Sequence, residues 1–346
     1  MNKILLFIII IVFLIKTGNV LSKDNIFYVD NIIVTNEKNL NKEQLLDIAI
    51  QESFNRLVNK ILQSKDIKSL SNISLNEIKK LILNYQIIEN KSIKDKNKNI
   101  YNITFDTNKL RNFFYSKNFL YADISETSLI IYPVLIEDEN FFLFTDNYFY
   151  NNWNQKLNKE LIEYILPSEN LDDIDFLNKN KENLESINID KILSVYDVKD
   201  YIFLLIKPKN KKIEFFLKGK ISNKKIVKNI SFNKAGEDQE SNYENSIKKI
   251  KIEIEEILKV QNLIDVRTPS FVNIILDLKK DNDLLRLQSK LNTIDLIENY
   301  YVLELSKDYA KVKIKYLGKI DKMKEKLAEN GINIEILNNS WKLKLI

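Results

Sequence analysis

Across residues 42–63, the apolar side chains of Leu46, Ala49, Ile50, Phe54, Leu57, Val58, Ile61 and Leu62 recur three and four positions apart. That spacing lines one face of an amphipathic helix. Asn39 or Asn41 stands where its N-cap belongs. Before it, residues 25–35 (NIFYVDNIIVT) are rich in β-branched and aromatic types and predict a strand. After it, Leu75, Ile78, Leu81 and Ile82 predict a shorter helix. Residues 85–93 and 100–105 then predict a hairpin around the polar turn 94–99. Asp106 or Thr107 caps a third helix carrying Leu110, Phe113 and Phe114.

The pattern changes at residue 129. Residues 129–136 (LIIYPVLI) are apolar without interruption, as in a strand buried on both faces of an α/β sheet. Pro133 argues for an edge or a bulge within it. A short return strand is expected at 141–145, an aromatic loop at 147–154, and helices at 153–165 and 171–186. Strands are expected at 191–196, 201–207, 212–221 and 225–232, followed by a long amphipathic helix at 241–260. Arg267-Thr268-Pro269 reads as a linker.

Beyond the linker, a strand (271–278), a helix (281–291), two strands (296–305 and 310–316), a helix (319–330) and a strand (332–337) follow, with a last strand at 341–346. The order β-α-β-β-α-β is ferredoxin-like, and Gly331 sits where a helix C-cap glycine belongs. The expected class is therefore α/β (α+β), in three small mixed units at 23–122, 123–265 and 268–346.

The first 22 residues stand apart. Lys3 is followed by an apolar run over residues 4–15, then Lys16 and the polar stretch 17–22. This is the build of a secretory signal, with cleavage expected between Ser22 and Lys23. The alternative is an inner-membrane anchor formed by residues 4–15, a run shorter than the ~20 apolar residues that a span requires. No later apolar run reaches that length. Export places the mature chain in the periplasm of a Gram-negative bacterium, with no membrane span once the signal is removed.

The 346 residues include no Cys and no His. An exported chain without Cys has no disulfides, so its cores must supply its stability. Without His or Cys there is no Ser-His or Cys-His nucleophile pair and no imidazole or thiolate metal site. The five glycines (Gly18, Gly219, Gly236, Gly318 and Gly331) are too sparse for a phosphate-cradling loop. No cofactor is expected.

Formal charge is +5, or +3 without Lys3 and Lys16, and acidic and basic residues interleave. The four arginines (Arg56, Arg111, Arg267 and Arg286) are scattered rather than gathered in a basic stripe, which argues against nucleic acid as a partner.

Carboxylate chemistry remains available. Glu137-Asp138-Glu139 and Asp172-Asp173 with Asp175 are the candidates for acid-base work or oxygen ligation of a hard cation. Their alternative readings are a polar turn and the acidic start of a helix. A Ser-Lys pair is also open, with nothing to single one out. Tyr148, Phe149, Tyr150 and Trp153 form an aromatic cluster suited to a partner-binding hot spot; the alternative is that it staples the loop onto the core.

The N-terminal half resembles an uncharacterised family of exported proteobacterial proteins, known as domain of unknown function 2066. Three stretches carry the likeness: 44–62 (QLLDIAIQESFNRLVNKIL), 100–114 (IYNITFDTNKLRNFF), and the segment holding LIIYPVLI and Trp153. The family often has a Pro-Trp pair in that loop, whereas here Phe149-Tyr150 stand nearby. The resemblance covers about 27–153 and implies export, but no activity or site residues. The expected function is a non-enzymatic accessory or scaffold protein binding an envelope protein, with an envelope hydrolase as the alternative.

Overall fold

The computed structural model describes residues 26–36, 40–70, 72–88, 98–124, 127–138, 140–155, 161–193, 195–196, 198–265, 268–280, 282–337 and 340–346. The signal segment, the Ser22/Lys23 cleavage point and the anchor alternative at 4–15 lie outside the described residues. The protein is a mixed α/β molecule with four sheets among the described residues. It divides into two compact units. One takes residues up to Leu57 together with Ile73–Thr107, and the other takes Val58–Asn72 with Asn108–Ile346.

The first unit is a three-stranded antiparallel sheet in the order β1-β3-β2, built from β1 (Tyr28–Thr35), β2 (Ile82–Ile88) and β3 (Lys98–Phe105). Helix α1 (Lys42–Ile61) begins at Asn41, whose side chain accepts from the Gln44 amide at 2.9 Å while Gln44 Oε1 accepts from the Asn41 amide at 3.0 Å. Its periodic face buries Ala49, Ile50, Phe54 and Leu57, and Phe54 packs on Phe105 of the central strand. Helix α2 (Leu75–Lys80) starts with a capping box between Ser74 and Glu77. The register of β1 slips between Val29 and Ile32. There Asn31 takes φ 53° and its amide donates to Asn102 Oδ1, a left-handed position that Asn tolerates.

Beyond Val58–Asn72, the second unit continues with α3 (Thr107–Ser116), from Asn108 onward, and the short strand β4 (Tyr121–Ala122). Its central sheet runs β10-β9-β8-β5-β6, with β7 also paired to β5. These strands are β5 (Thr127–Glu137), β6 (Asn140–Phe142), β7 (Ile162–Ile165), β8 (Tyr201–Pro208), β9 (Lys212–Ile221) and β10 (Lys224–Asn233). Strand β5 is parallel to both β7 and β8, whereas β8, β9 and β10 form an antiparallel meander. One face is covered by α4 (Tyr148–Asn152) and the long α7 (Gln239–Gln261). The other is covered by α5 (Leu171–Lys179), α6 (Asp190–Leu193) and the segment between them. Burial on both faces explains the unbroken apolar run of β5.

Pro133 lies in this interior strand because of a gap in the neighbouring ladder. Strand β7 pairs with Thr127–Ile130 and β6 with Leu135–Glu137, so neither pairs at 131–134. The Pro133 carbonyl points into that gap and accepts from Asn147 Nδ2 at 3.0 Å. A strand residue's nitrogen and carbonyl face the same side, so the missing N–H falls where no ladder partner stands.

Three expectations are corrected. Residues 162–165, read as helix, form strand β7, with Ile162 and Tyr164 buried and Glu163 exposed in the alternation of an edge beside β5. The stretch at 191–196, read as strand, begins as the one-turn helix α6, where Asn188 Oδ1 accepts from the Asp190 amide. The aromatic loop is itself a helical turn, α4, capped by Asn147 accepting from the Phe149 amide at 2.9 Å.

The C-terminal part holds β11 (Leu263–Ile264, paired to β4), β12 (Ser270–Asp277), α8 (Asp283–Leu291), β13 (Ile297–Leu305), β14 (Tyr309–Tyr316), α9 (Ile320–Glu329), β15 (Ile332–Leu337) and β16 (Ser340–Leu345). The ferredoxin-like order is present and is extended by a fifth strand. The sheet runs β13-β14-β12-β16-β15, so β16 rather than β15 lies against β12, in parallel. Gly331 follows α9 at φ +67°, the left-handed position of a C-terminal cap.

Candidate functional site

The topology of the central sheet opens a crevice. From β5 the chain crosses by α4, on one face, to β7 on one side of β5. From β7 it returns by α5 and α6, on the other face, to β8 on the opposite side. Where successive crossovers of parallel strands diverge, a cleft forms beyond the strands' carboxyl ends, and ligands of open α/β sheets bind there. A cleft of about 730 Å³ lies at that place. Its apolar floor is Ile136 near the end of β5, Leu205 on β8, Phe141 on β6 and Leu184. Its wall is the segment after α5: Lys181, Glu182, Asn183, Glu185 and Ser186. A volume of this size suits a small ligand or a short stretch of chain.

A second cleft of about 300 Å³ adjoins it, shares Glu185 and Lys207, and runs onto β9 and β10 past Glu214, Phe216, Asn229 and Ser231. The shared boundary is an ion pair, Lys207 Nζ to Glu185 Oε1 at 2.7 Å. Lys218 Nζ secures the wall by donating to the carbonyls of Glu185 (3.1 Å) and Ile187 (2.9 Å). Lys209 and Lys212 each reach Glu214 at 2.6 Å, and their hydrogen bonds hold its carboxyl down at about 2. Glu185 and Glu214 are thus taken up by lysines. The Ser186 hydroxyl donates to the Asn183 carbonyl.

The aromatic cluster of the sequence is not an exposed surface. Phe149 and Trp153 are wholly buried in the core under α7. Phe149 packs against Tyr243 (ring centroids 4.9 Å) and Phe215 (6.1 Å), and Trp153 against Tyr164 (5.6 Å). The buried Lys251 lies with Nζ 5.8 Å from the Trp153 ring and 5.1 Å from the Tyr164 ring. Tyr148 and Tyr150 are half-buried, with hydroxyls donating to the carbonyls of Glu240 and Pro167. One helical turn at the sheet edge therefore supplies side chains to both cores. Phe149 and Trp153 are therefore core residues rather than partner contacts, while Tyr148 and Tyr150 keep part of their surface in solvent.

The two acidic groups go to separate places. Glu137 accepts from Tyr243 and from Gln239, both on α7. Asp138 takes a turn at φ 46°, and Glu139 lies outside the described residues. Asp173 is buried and accepts from the Tyr132 hydroxyl at 3.0 Å; burial and that carboxylate push the Tyr132 phenol up. Asp172 and Asp175 are exposed on α5.

Sequence reasoning missed Asp123. It is 7 % exposed, and its Oδ2 meets no donor among the described residues. Burial, then Asp295, pushes its carboxyl up against the pull of Lys322, Lys326 and Arg111. The cavity beside it, lined also by Gly318 and Lys322, is about 20 Å³, far below the size of a substrate site. Among the described residues no acidic cluster is arranged to hold a metal ion, and no helix is long and apolar enough to cross a membrane.

Comparisons with family models, curated proteins and solved structures returned no match.

Proposed function

We propose that this chain is an exported periplasmic protein, akin to the uncharacterised proteobacterial family it resembles, that binds an envelope protein and performs no chemistry of its own. The observation that supports this reading is the cleft beyond β5 and β8. It joins an apolar floor to a wall whose Glu185 is already paired to Lys207, an arrangement suited to holding a net-neutral segment of a partner rather than to moving protons. The mature chain begins at Lys23. The test is a crosslinking pull-down from the periplasm with the tagged full chain, with its N-terminus read by mass spectrometry. The wild type recovers one stoichiometric envelope protein. Ser186→Trp, which places an indole in the cleft, loses it while keeping the same circular dichroism. Equal recovery by both variants rejects the cleft as the site, and retention of residues 1–22 replaces the cleaved signal with the anchor.

A further inference from the structure

The first unit carries a second surface, independent of the cleft. Among the described residues β2 is an outer strand, paired on one side only. It bears no charge and no proline, the usual devices that blunt a sheet edge. Leu83 (60 % exposed), Tyr85 (47 %), Ile87 (49 %) and Ile88 (39 %) face solvent along it. A register slip between Ile82 and Asn84 is its one irregularity.

The order of residues in β2 says what fits there. Ile82-Leu83-Asn84-Tyr85-Gln86-Ile87-Ile88 is symmetric in chemical type about Tyr85. An antiparallel copy centred on Tyr85 sets Ile82 against Ile88, Leu83 against Ile87, Asn84 against Gln86, and Tyr85 against Tyr85. Every cross-strand pair is then like with like in polarity, with no charge to repel. A two-fold interface requires this self-complementarity, and a one-residue shift destroys it by setting Asn84 against Ile87 and Tyr85 against Gln86. We propose that two copies of this chain pair edge to edge through β2, joining their three-stranded sheets into one six-stranded sheet across a two-fold axis at Tyr85.

The chain has no Cys, so single cysteines report cleanly. Directly opposed residues of an antiparallel pair have Cα atoms about 4.5–5.5 Å apart, within disulfide reach. Under mild oxidation the Tyr85→Cys full chain forms a disulfide-linked dimer, whereas Val227→Cys, on β10 and more exposed than Tyr85, stays monomeric. By analytical ultracentrifugation the wild type is a dimer. Leu83→Lys and Ile87→Glu are each monomeric with unchanged circular dichroism. The double variant Leu83→Lys/Ile87→Glu, which sets each new cation against the other copy's new anion, recovers the dimer. A monomeric wild type overturns the proposal. So does a dimer that persists in both single variants, or cysteine dimers that form equally at positions 85 and 227.

Discussion

Replacing Phe149 with Ala tests whether the aromatic turn α4 is core or contact surface. The ring is wholly buried and packs on Tyr243 at 4.9 Å and Phe215 at 6.1 Å, beneath α7. Removing a buried Phe side chain costs about 3–5 kcal/mol, combining lost transfer energy with the cavity left behind. In a unit of this size each kcal/mol lowers the melting midpoint by about 2–4 °C, so a fall of about 6–20 °C is expected. The assay is thermal unfolding of the full chain followed by circular dichroism. Pairing Phe149→Ala with Tyr243→Ala should show a coupling of about 0.5–1.5 kcal/mol, because the two rings stabilise one another. A midpoint within about 2 °C of wild type, together with loss of partner capture, would refute the assignment to the core.

Other variants probe particular features. A Cβ on Gly219 would stand 2.1 Å from the Tyr201 carbonyl oxygen, so Gly219→Ala forces β9 away from β8 and costs about 3 kcal/mol by chemical denaturation. Gly236→Ala, with nothing within 4 Å, leaves the midpoint unchanged. Asn147→Ala removes the cap of α4 and the donor to the Pro133 carbonyl, and should cost about 1–3 kcal/mol in the same titration. Asp123 is held above its ordinary value of 3.8 in the fold, so the native state binds a proton more readily than the unfolded chain does. Ionisation of Asp123 therefore opposes folding at pH above the raised folded value, and that cost fades as pH falls through the window toward 3.8. Asp123→Asn should raise the melting midpoint at pH 7 and flatten the midpoint-versus-pH curve on the acid side; an unchanged curve would remove Asp123 as its source.

Much of the fold is legible in local patterns. Helix α1 is visible from its period and from Asn41. Strands β8, β9 and β10 are visible from their continuous or alternating apolar runs. The C-terminal elements can be read one by one, yet their spatial order cannot: the place of β16 between β12 and β15 depends on long-range pairing. Pro133 misleads for the same reason. Its tolerance rests on a gap between two short strands and on an Asn side chain 14 residues away. Strand β7 is four residues long and takes its state from β5 beside it, so a helical reading of its surroundings was overridden by tertiary contact. Exposure of the aromatic cluster was undecidable from composition, because Phe and Trp serve cores and interfaces alike. The cleft gave no sequence signal. It is assembled from Ile136, Phe141, the 181–186 segment and Leu205, which meet only through the parallel pairing of β5 with β8. Asp123 was equally hidden, since nothing local marks it as buried.

What occupies that cleft in the cell decides most directly whether this protein acts by binding a partner. A photo-crosslinking residue placed at Asn183, in the cleft wall, should capture one discrete envelope protein. The same residue at Ile252, exposed on α7, should capture none. Equal capture at both positions, or none at Asn183 from cells in which the full chain is folded and exported, would contradict the proposal that this protein acts by binding a partner there.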